Sequence, residues 1–401
     1  MLTDKNREYL LLFLILVAIR CYGLSAFGFL EERFWGFTLY LIPLCISLFI
    51  VKDFYGRSIS LLLLAMIPNM ISANLFNGQS FYNSLLGLIF IMHFVFYYLL
   101  LYLKPSVQIV EKVILLVASV GFVVYFVQYL ILPYPILTTT SGWRLVNADV
   151  DLWRFGLIGE SILFLSFFLS LQKLLLTKEN KYKILCILAV VFVILHGYRT
   201  MIFALACSSF YYIVSFYGIK RISKSIVYIG SAFILLYLLS LTGFFDEQLS
   251  FMIDKTSQES ANDNNRLICF LFYYKEYLQS PIEWIFGGGF PAGTSKYSDW
   301  MGQMKMFGSS IYGRNNWVDI GFVGMSFLSG IIITAIWLWM LIKTIRDAPA
   351  NCLYIKAFCL FILLSTLTLP TGINDESIII QCLAFYVVSQ VSFNQINDKF
   401  V

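Results

Sequence analysis

The stretch KILCILAVVFVILHGYRTMIFALACSSFYYIVSFYG, residues 183–218, holds two long apolar runs joined by the short turn HGYRT. A membrane span needs about 20 mostly apolar residues, so the stretch reads as two adjoining spans, 183–198 and 200–218, with almost no polar chain between them. Arg199 is thereby held at a membrane boundary, where charge is costly and often functional. His196 stands beside it, either lining the same cavity or buried in the core.

The rest of the chain repeats this character. It has 401 residues, 59% of them apolar, 18% aromatic and 13% charged, whereas soluble domains run to about 45–50% apolar and about 25% charged. The composition excludes a soluble globular protein. It implies an all-α, polytopic transmembrane helix bundle, a single integral membrane domain over 1–401. A window of membrane length gives about twelve spans: 8–28, 34–51, 58–76, 81–103, 108–132, 156–176, 183–198, 200–218, 225–243, 317–343, 354–370 and 377–393. No small-residue cleavage site follows the apolar run 10–18, so that run reads as the first span and not as a cleaved leader. The eight cysteines show no metal or redox spacing and read as small buried hydrophobes. The two histidines, His93 and His196, lie in no ligand motif. No metal site and no cofactor is expected. The net charge of +5 follows from lysines and arginines on one side of a membrane and needs no nucleic acid.

Lysine and arginine concentrate in segments such as 104–112, 173–183, 220–224 and 343–356, which orients the bundle with both termini cytoplasmic. Two substantial segments then lie outside, 133–155 and 244–316. The second carries its own apolar run (267–277) and reads as a folded, partly helical loop, since long structureless loops in compact domains are uncommon. The outside segments are rich in arginine: Arg144, Arg154, Arg199, Arg266 and Arg314. A guanidinium grips phosphate or carboxylate in two places, so the set reads either as a clamp for an anionic ligand or as interfacial arginine paired with loop acids such as Asp149, Asp151 and Asp263. Glu160, early in the sixth span, needs a partner at that depth. Arg154 or Arg199 would serve, in a structural ion pair or in catalysis. Asp319, in the first turn of the tenth span, suits a helix N-terminus or a general base. The run FGGGFPAG (286–293) lacks the lysine and Ser/Thr of a nucleotide-binding loop. Gly287 and Gly289 there let the backbone approach a sugar or tuck the loop against the bundle. Tyr198 and other aromatics on the arginine side, such as Trp143 and Trp300, offer faces for sugar stacking.

Four pieces in this order resemble the O-antigen polymerase and ligase superfamily of bacterial inner-membrane proteins: RFGLIGE at 154–160, GYRT at 197–200, NRL at 265–267 followed by Ser280-Pro281 and GGG at 287–289, and DIGFVGMSFLSG at 319–330. Ligase-type members usually carry a histidine about where Asp319 stands, so its absence points towards a polymerase. The resemblance implies a metal-independent, inverting glycosyltransferase that joins undecaprenyl-diphosphate-linked repeat units into O-antigen or capsular polysaccharide at the periplasmic face of the inner membrane. It implies catalytic roles for Arg199, Arg266, Asp319 and Glu160. Contacts to diphosphate or glycan would come from Arg144, Arg154, Arg314, His196, Tyr198, Gly287 and Gly289. The implied partners are the lipid-linked donor and acceptor, membrane lipids and a chain-length regulator. The alternatives are an O-antigen ligase and a flippase or transporter of the lipid-linked oligosaccharide. A flippase would carry charge along a cavity through the membrane, whereas these arginines gather at one face.

Overall fold

The computed structural model describes residues 3–31, 53–132, 134, 136–137, 144–147, 152–218, 265–292, 295–296, 317–369 and 371–397. The expected spans 34–51 and 225–243, and Arg314, lie outside these residues. The described chain is helical: α1 (Asp4–Ala18), α2 (Phe54–Asn77), α3 (Phe81–Gly87), α4 (Ile89–Leu103), α5 (Val107–Leu130), α6 (Ser161–Thr177), α7 (Asn180–His196), α8 (Arg199–Tyr217), α9 (Asn265–Phe272), α10 (Pro281–Phe286), α11 (Gly321–Ser329), α12 (Ile331–Asp347), α13 (Leu353–Ser365) and α14 (Asp375–Asn397). One small antiparallel hairpin, β1 (Arg144–Asn147) and β2 (Leu152–Arg154), accompanies them. Many helices begin where a short polar side chain accepts a backbone N–H, as Thr3, Asp53, Ser80, Ser106 and Ser280 do. Gly78 and Gly197 end α2 and α7 in the left-handed conformation.

Among the described residues four helices are long and apolar enough to cross a membrane: α2, α5, α8 and α14 through Phe393. The pair α3 and α4, bent by 60°, makes a fifth if it is one span. Helix α6 is buried on every side from Ser161 to Ser170 and forms the centre of the bundle, against α5, α7, α13 and α14, as a helix apolar all round must. The runs 183–198 and 200–218 are separate helices, α7 and α8, as the sequence implied. Elsewhere continuous spans are interrupted. The run 8–28 is helical only to Ala18 and continues as short 3-10 turns. The run 317–343 divides at Gly330 into α11 and α12, and 354–370 stops being helical at Ser365.

The break at Gly330 receives the glycine run that follows α10. Gly287 and Gly330 both sit at φ 86°, with ψ 159° and 161°, a region open essentially to glycine alone. A Cβ on Gly287 would lie 2.2 Å from the Leu328 carbonyl oxygen, and one on Gly330 would lie 2.4 Å from the Phe286 carbonyl carbon. The amides of Gly288 and Gly289 donate to the carbonyls of Phe327 (3.0 Å) and Leu328 (2.9 Å). Three side-chain amides on and just after α2 complete the joint. Asn69 donates to Phe286 and Leu328 (2.8 Å to the latter), Asn77 to Gly288 (2.9 Å) and Gln79 to Phe290 (2.8 Å). Aromatic contacts seal it, with Tyr273, Phe270 and Trp284 around Phe327 and with Phe290 against Phe90 and Trp317.

Among the described residues the ion pairs gather at the two ends of the bundle. At one end Lys112 meets Glu8 (2.6 Å), Lys173 meets Glu111 (2.6 Å) and Ser389 donates to Asp53 (3.0 Å). Beyond α12's apolar run, Arg346 and Lys343 hold the Asp347 carboxyl well below the usual carboxylate range. At the other end Arg20 meets Asp375 and His196 meets Glu160.

The joint makes a direct prediction. Gly287→Ala and Gly330→Ala each add a clash to a backbone strain. Gly78→Ala has only the strain, since nothing lies within 4 Å of its added Cβ. Thermal unfolding in detergent, followed by tryptophan fluorescence, should show each joint variant losing about 2 kcal/mol more than Gly78→Ala. Equal losses in all three would remove the steric account.

Candidate functional site: a charged cluster at one end of the bundle

Helix α7 ends on His196, Gly197 turns the chain at φ 72°, and α8 opens on Arg199. The His196 ring is buried, 5.4 Å from the ring of Phe192 and 4.7 Å from that of Tyr198. Its Nε2 lies 3.0 Å from Oε2 of Glu160. The two are out of line for a hydrogen bond, and neither ring nitrogen makes one within the described residues. We therefore treat the contact as electrostatic. Glu160 stands at the head of α6, in a turn that only glycine permits: Gly159 has φ 81°, and a Cβ there would meet Ile19 at 2.6 Å.

Beside this pair the first and last helices meet. Arg20 reaches Asp375 at 3.2 Å and Glu376 at 3.7 Å. Glu376 is within electrostatic range of Glu160, and His93 within range of Asp375 and Arg20. Ser161 and Ser377 hydrogen-bond to each other, and Ser377 donates to the Thr371 carbonyl, so the heads of α6 and α14 are fastened together. Among the described residues the cluster thus brings Glu160, Asp375, Glu376 and the Arg20 guanidinium beside two imidazoles. It sits on a strained backbone. Arg20, Cys21 and Tyr22 have φ of 50°, 47° and 64°, and left-handed geometry costs about 1–2 kcal/mol per residue. Packing enforces it. Tyr22 is fully buried, donates to the Val117 carbonyl and fills the space above Gly121.

The residues singled out in the sequence fall around this cluster. Glu160 and His196 touch, so an imidazole stands against the carboxylate expected to meet an arginine; the Arg154 side chain lies outside the described residues. Arg199 is half-buried, and its neighbour Thr200 bonds Thr368 at 2.7 Å. The same turn takes the Phe322 amide on the Thr366 carbonyl (2.9 Å), which brings the 3-10 turn Trp317–Ile320, bearing Asp319, next to the head of α8. Helix α9, bearing Arg266, packs on that 3-10 turn. Arg144 and Arg154 are direct register partners across the hairpin. The chain leaves β2 into Phe155, which is buried against Tyr125. Gly287 and Gly289 lie in the packing joint, where protein atoms occupy the space a side chain would need. This is the tucking role, not an open approach to sugar. His93 is buried, with Nδ1 2.9 Å from the Ile89 carbonyl, as a core histidine should be.

Sequence reasoning missed Arg20, Asp375 and Glu376. The available signals were two adjacent acids heading the last span and a cation ending the first. Among the described residues no group of three or more His, Cys, Asp or Glu is placed to hold a metal ion. A scan against protein-family models finds no match, and no curated protein is significantly similar in sequence.

Arg20→Ala leaves two acids without their guanidinium. Because the side chains keep 14–28% exposure, the loss should be about 2 kcal/mol, short of the roughly 3–5 kcal/mol of a fully buried pair. In an Arg20→Ala, Asp375→Asn double-mutant cycle the two losses should not add. Strict additivity would show that the pair is not coupled.

Proposed function

We propose that the protein is an integral membrane polymerase. It joins undecaprenyl-diphosphate-linked oligosaccharide repeat units into O-antigen or capsular polysaccharide, working at the periplasmic face of the bacterial inner membrane with both termini in the cytoplasm. One observation carries the reading. At a single end of an apolar bundle, Arg199 heads α8 beside the Glu160–His196 contact, and the elements bearing Arg266 and Asp319 pack around the same turn. The four sequence pieces that resemble the polymerase superfamily contribute these same elements.

The chemistry follows from the donor. A lipid diphosphate leaves with its charge already spread, and what it needs is neutralisation as the glycosidic carbon detaches. Arginines fixed before the reaction supply this without reorganising. Arg199 and Arg266 act on the diphosphate as the leaving group departs. The register-paired positions of Arg144 and Arg154 hold a second anionic portion, and Arg314 belongs to the same set. A sugar hydroxyl of the acceptor attacks from the opposite face, so the anomeric centre inverts, without a metal. Tyr198 offers its ring to a sugar face. Among the described residues the ion pairs gather at the bundle ends, and this supports an enzyme over a flippase, which would carry charge through the middle. A chain-length regulator is the expected protein partner.

The surface glycan of a strain lacking this gene, separated on a gel, tests the reading. A polymerase deletion stops the glycan at core plus one repeat unit. Undecaprenyl-linked polymer accumulating without transfer would identify a ligase, and single lipid-linked units retained inside would identify a flippase. Arg199→Ala and Arg266→Ala, present in the membrane at normal levels, should each lower polymerisation by about 100–1,000-fold and lose the long chains. Normal chain length in both would overturn the clamp.

A further inference from the structure

We propose that Glu160 and His196 form the proton-accepting site of this reaction, with His196 taking the proton of the acceptor hydroxyl and Glu160 stabilising the imidazolium that results. The inference deepens the polymerase reading and rests on it. Its grounds are geometric. Nε2 of His196 lies 3.0 Å from the Glu160 carboxylate, while the ring is buried and both nitrogens lack a hydrogen bond within the described residues. A buried polar nitrogen left unmatched costs about 1–3 kcal/mol. An imidazole held in this way, three residues from Arg199, is suited to exchange a proton with a group that enters the site. The ring of Tyr198 lies against the imidazole at 4.7 Å.

Several elements supply the charged and titratable neighbours of this contact. Glu160 meets the ring from α6. Glu376, on α14, is within electrostatic range of Glu160, and Arg20 from the end of α1 is engaged by Asp375 and Glu376. The Tyr198 ring lies against the imidazole from the turn into α8, which Arg199 heads. His93 is within range of Asp375 and Arg20, and Tyr125 from α5 touches Phe192.

The step balances. The acceptor O–H bond breaks and its proton goes to a ring nitrogen of His196. The oxygen's electron pair forms the new bond to the anomeric carbon. The bond from that carbon to the phosphate oxygen breaks, and its electron pair leaves with the lipid diphosphate. The imidazolium beside Glu160 returns the proton to water when the product departs. The division of labour, with a carboxylate orienting and stabilising a histidine base, is general acid–base chemistry.

The chain has only two histidines, so the test is clean. Protein labelled with carbon-13 in its histidine rings, in lipid nanodiscs, should give two ring signals, and His93→Gln assigns them. The His196 ring signal should move in Glu160→Gln and return part of the way in Glu160→Asp. With purified protein and lipid-linked repeat units, His196→Gln should lower kcat by about 100-fold or more with KM little changed. A His196 signal that Glu160→Gln leaves in place, or an unchanged kcat in His196→Gln, overturns the proposal. In cells, His196→Gln at normal membrane level should shorten the glycan ladder as Arg199→Ala does. If the deletion strain loses polymer while His196→Gln keeps full-length chains, the proton site is wrong and the polymerase reading stands. If the deletion strain keeps its polymer, the polymerase reading falls, and the proton site falls with it.

Discussion

Two interrupted helices meet backbone to backbone at Gly287 and Gly330, and the arrangement of the site depends on that contact. In an apolar bundle a broken helix exposes carbonyls that no water can satisfy, and each unmatched group costs several kcal/mol. Here the two breaks satisfy one another. The amides of Gly288 and Gly289 take the carbonyls at the end of α11, and Asn69, Asn77 and Gln79 take three others besides sharing that of Leu328. Closeness is the condition, and only glycine on both sides allows it. With the joint closed, 265–292 is fixed against α2 and α11, and α9 is carried onto the 3-10 turn that holds Asp319.

The same scarcity of water governs the charges. A carboxylate at the head of a buried helix is tolerated when a cation or an imidazole stands against it. Lys112 with Glu8 and Lys173 with Glu111 meet this need at one end in the ordinary way, one amine for one acid. The other end is built differently. Arg20 is shared between Asp375 and Glu376, and Glu160 is set against a histidine. The two ends thus differ in how they match their acids: single amines at one, a shared guanidinium and an imidazole at the other.

Much of this was legible in the sequence, for identifiable reasons. The apolar runs are long enough to declare α2, α5 and α14, and the turn HGYRT separates α7 from α8 because Gly197 can adopt a positive φ. The interruptions were not legible. Gly330 sits in a run, SFLSGIIIT, that is apolar on both sides, and nothing local distinguishes a glycine inside a helix from one that breaks it. Its partner lies some forty residues earlier. The glycine run was read as either approaching a ligand or tucking the loop inwards, and the distances decide for the second. Among the candidate residues, Glu160 and His196 were both named, but their contact was not, since it depends on how α6 and α7 rotate about their axes. Arg20 was visible as a charge within the first span, yet its acids lie at the far end of the chain.

The strained turn at Arg20 connects these points. A chain with only packing to satisfy would end α1 in a relaxed conformation and bury an apolar residue there. Instead three consecutive residues without glycine's freedom are forced left-handed, held by Tyr22 against Val117 and Gly121. The consequence is that a guanidinium is delivered to the head of α14, where it neutralises Asp375 and Glu376. Without it, Asp375 and Glu376 would face each other with no cation between them. Backbone distortion of this kind persists where surrounding packing over-determines it. Here its product is a guanidinium fixed against two adjacent acids at the head of α14.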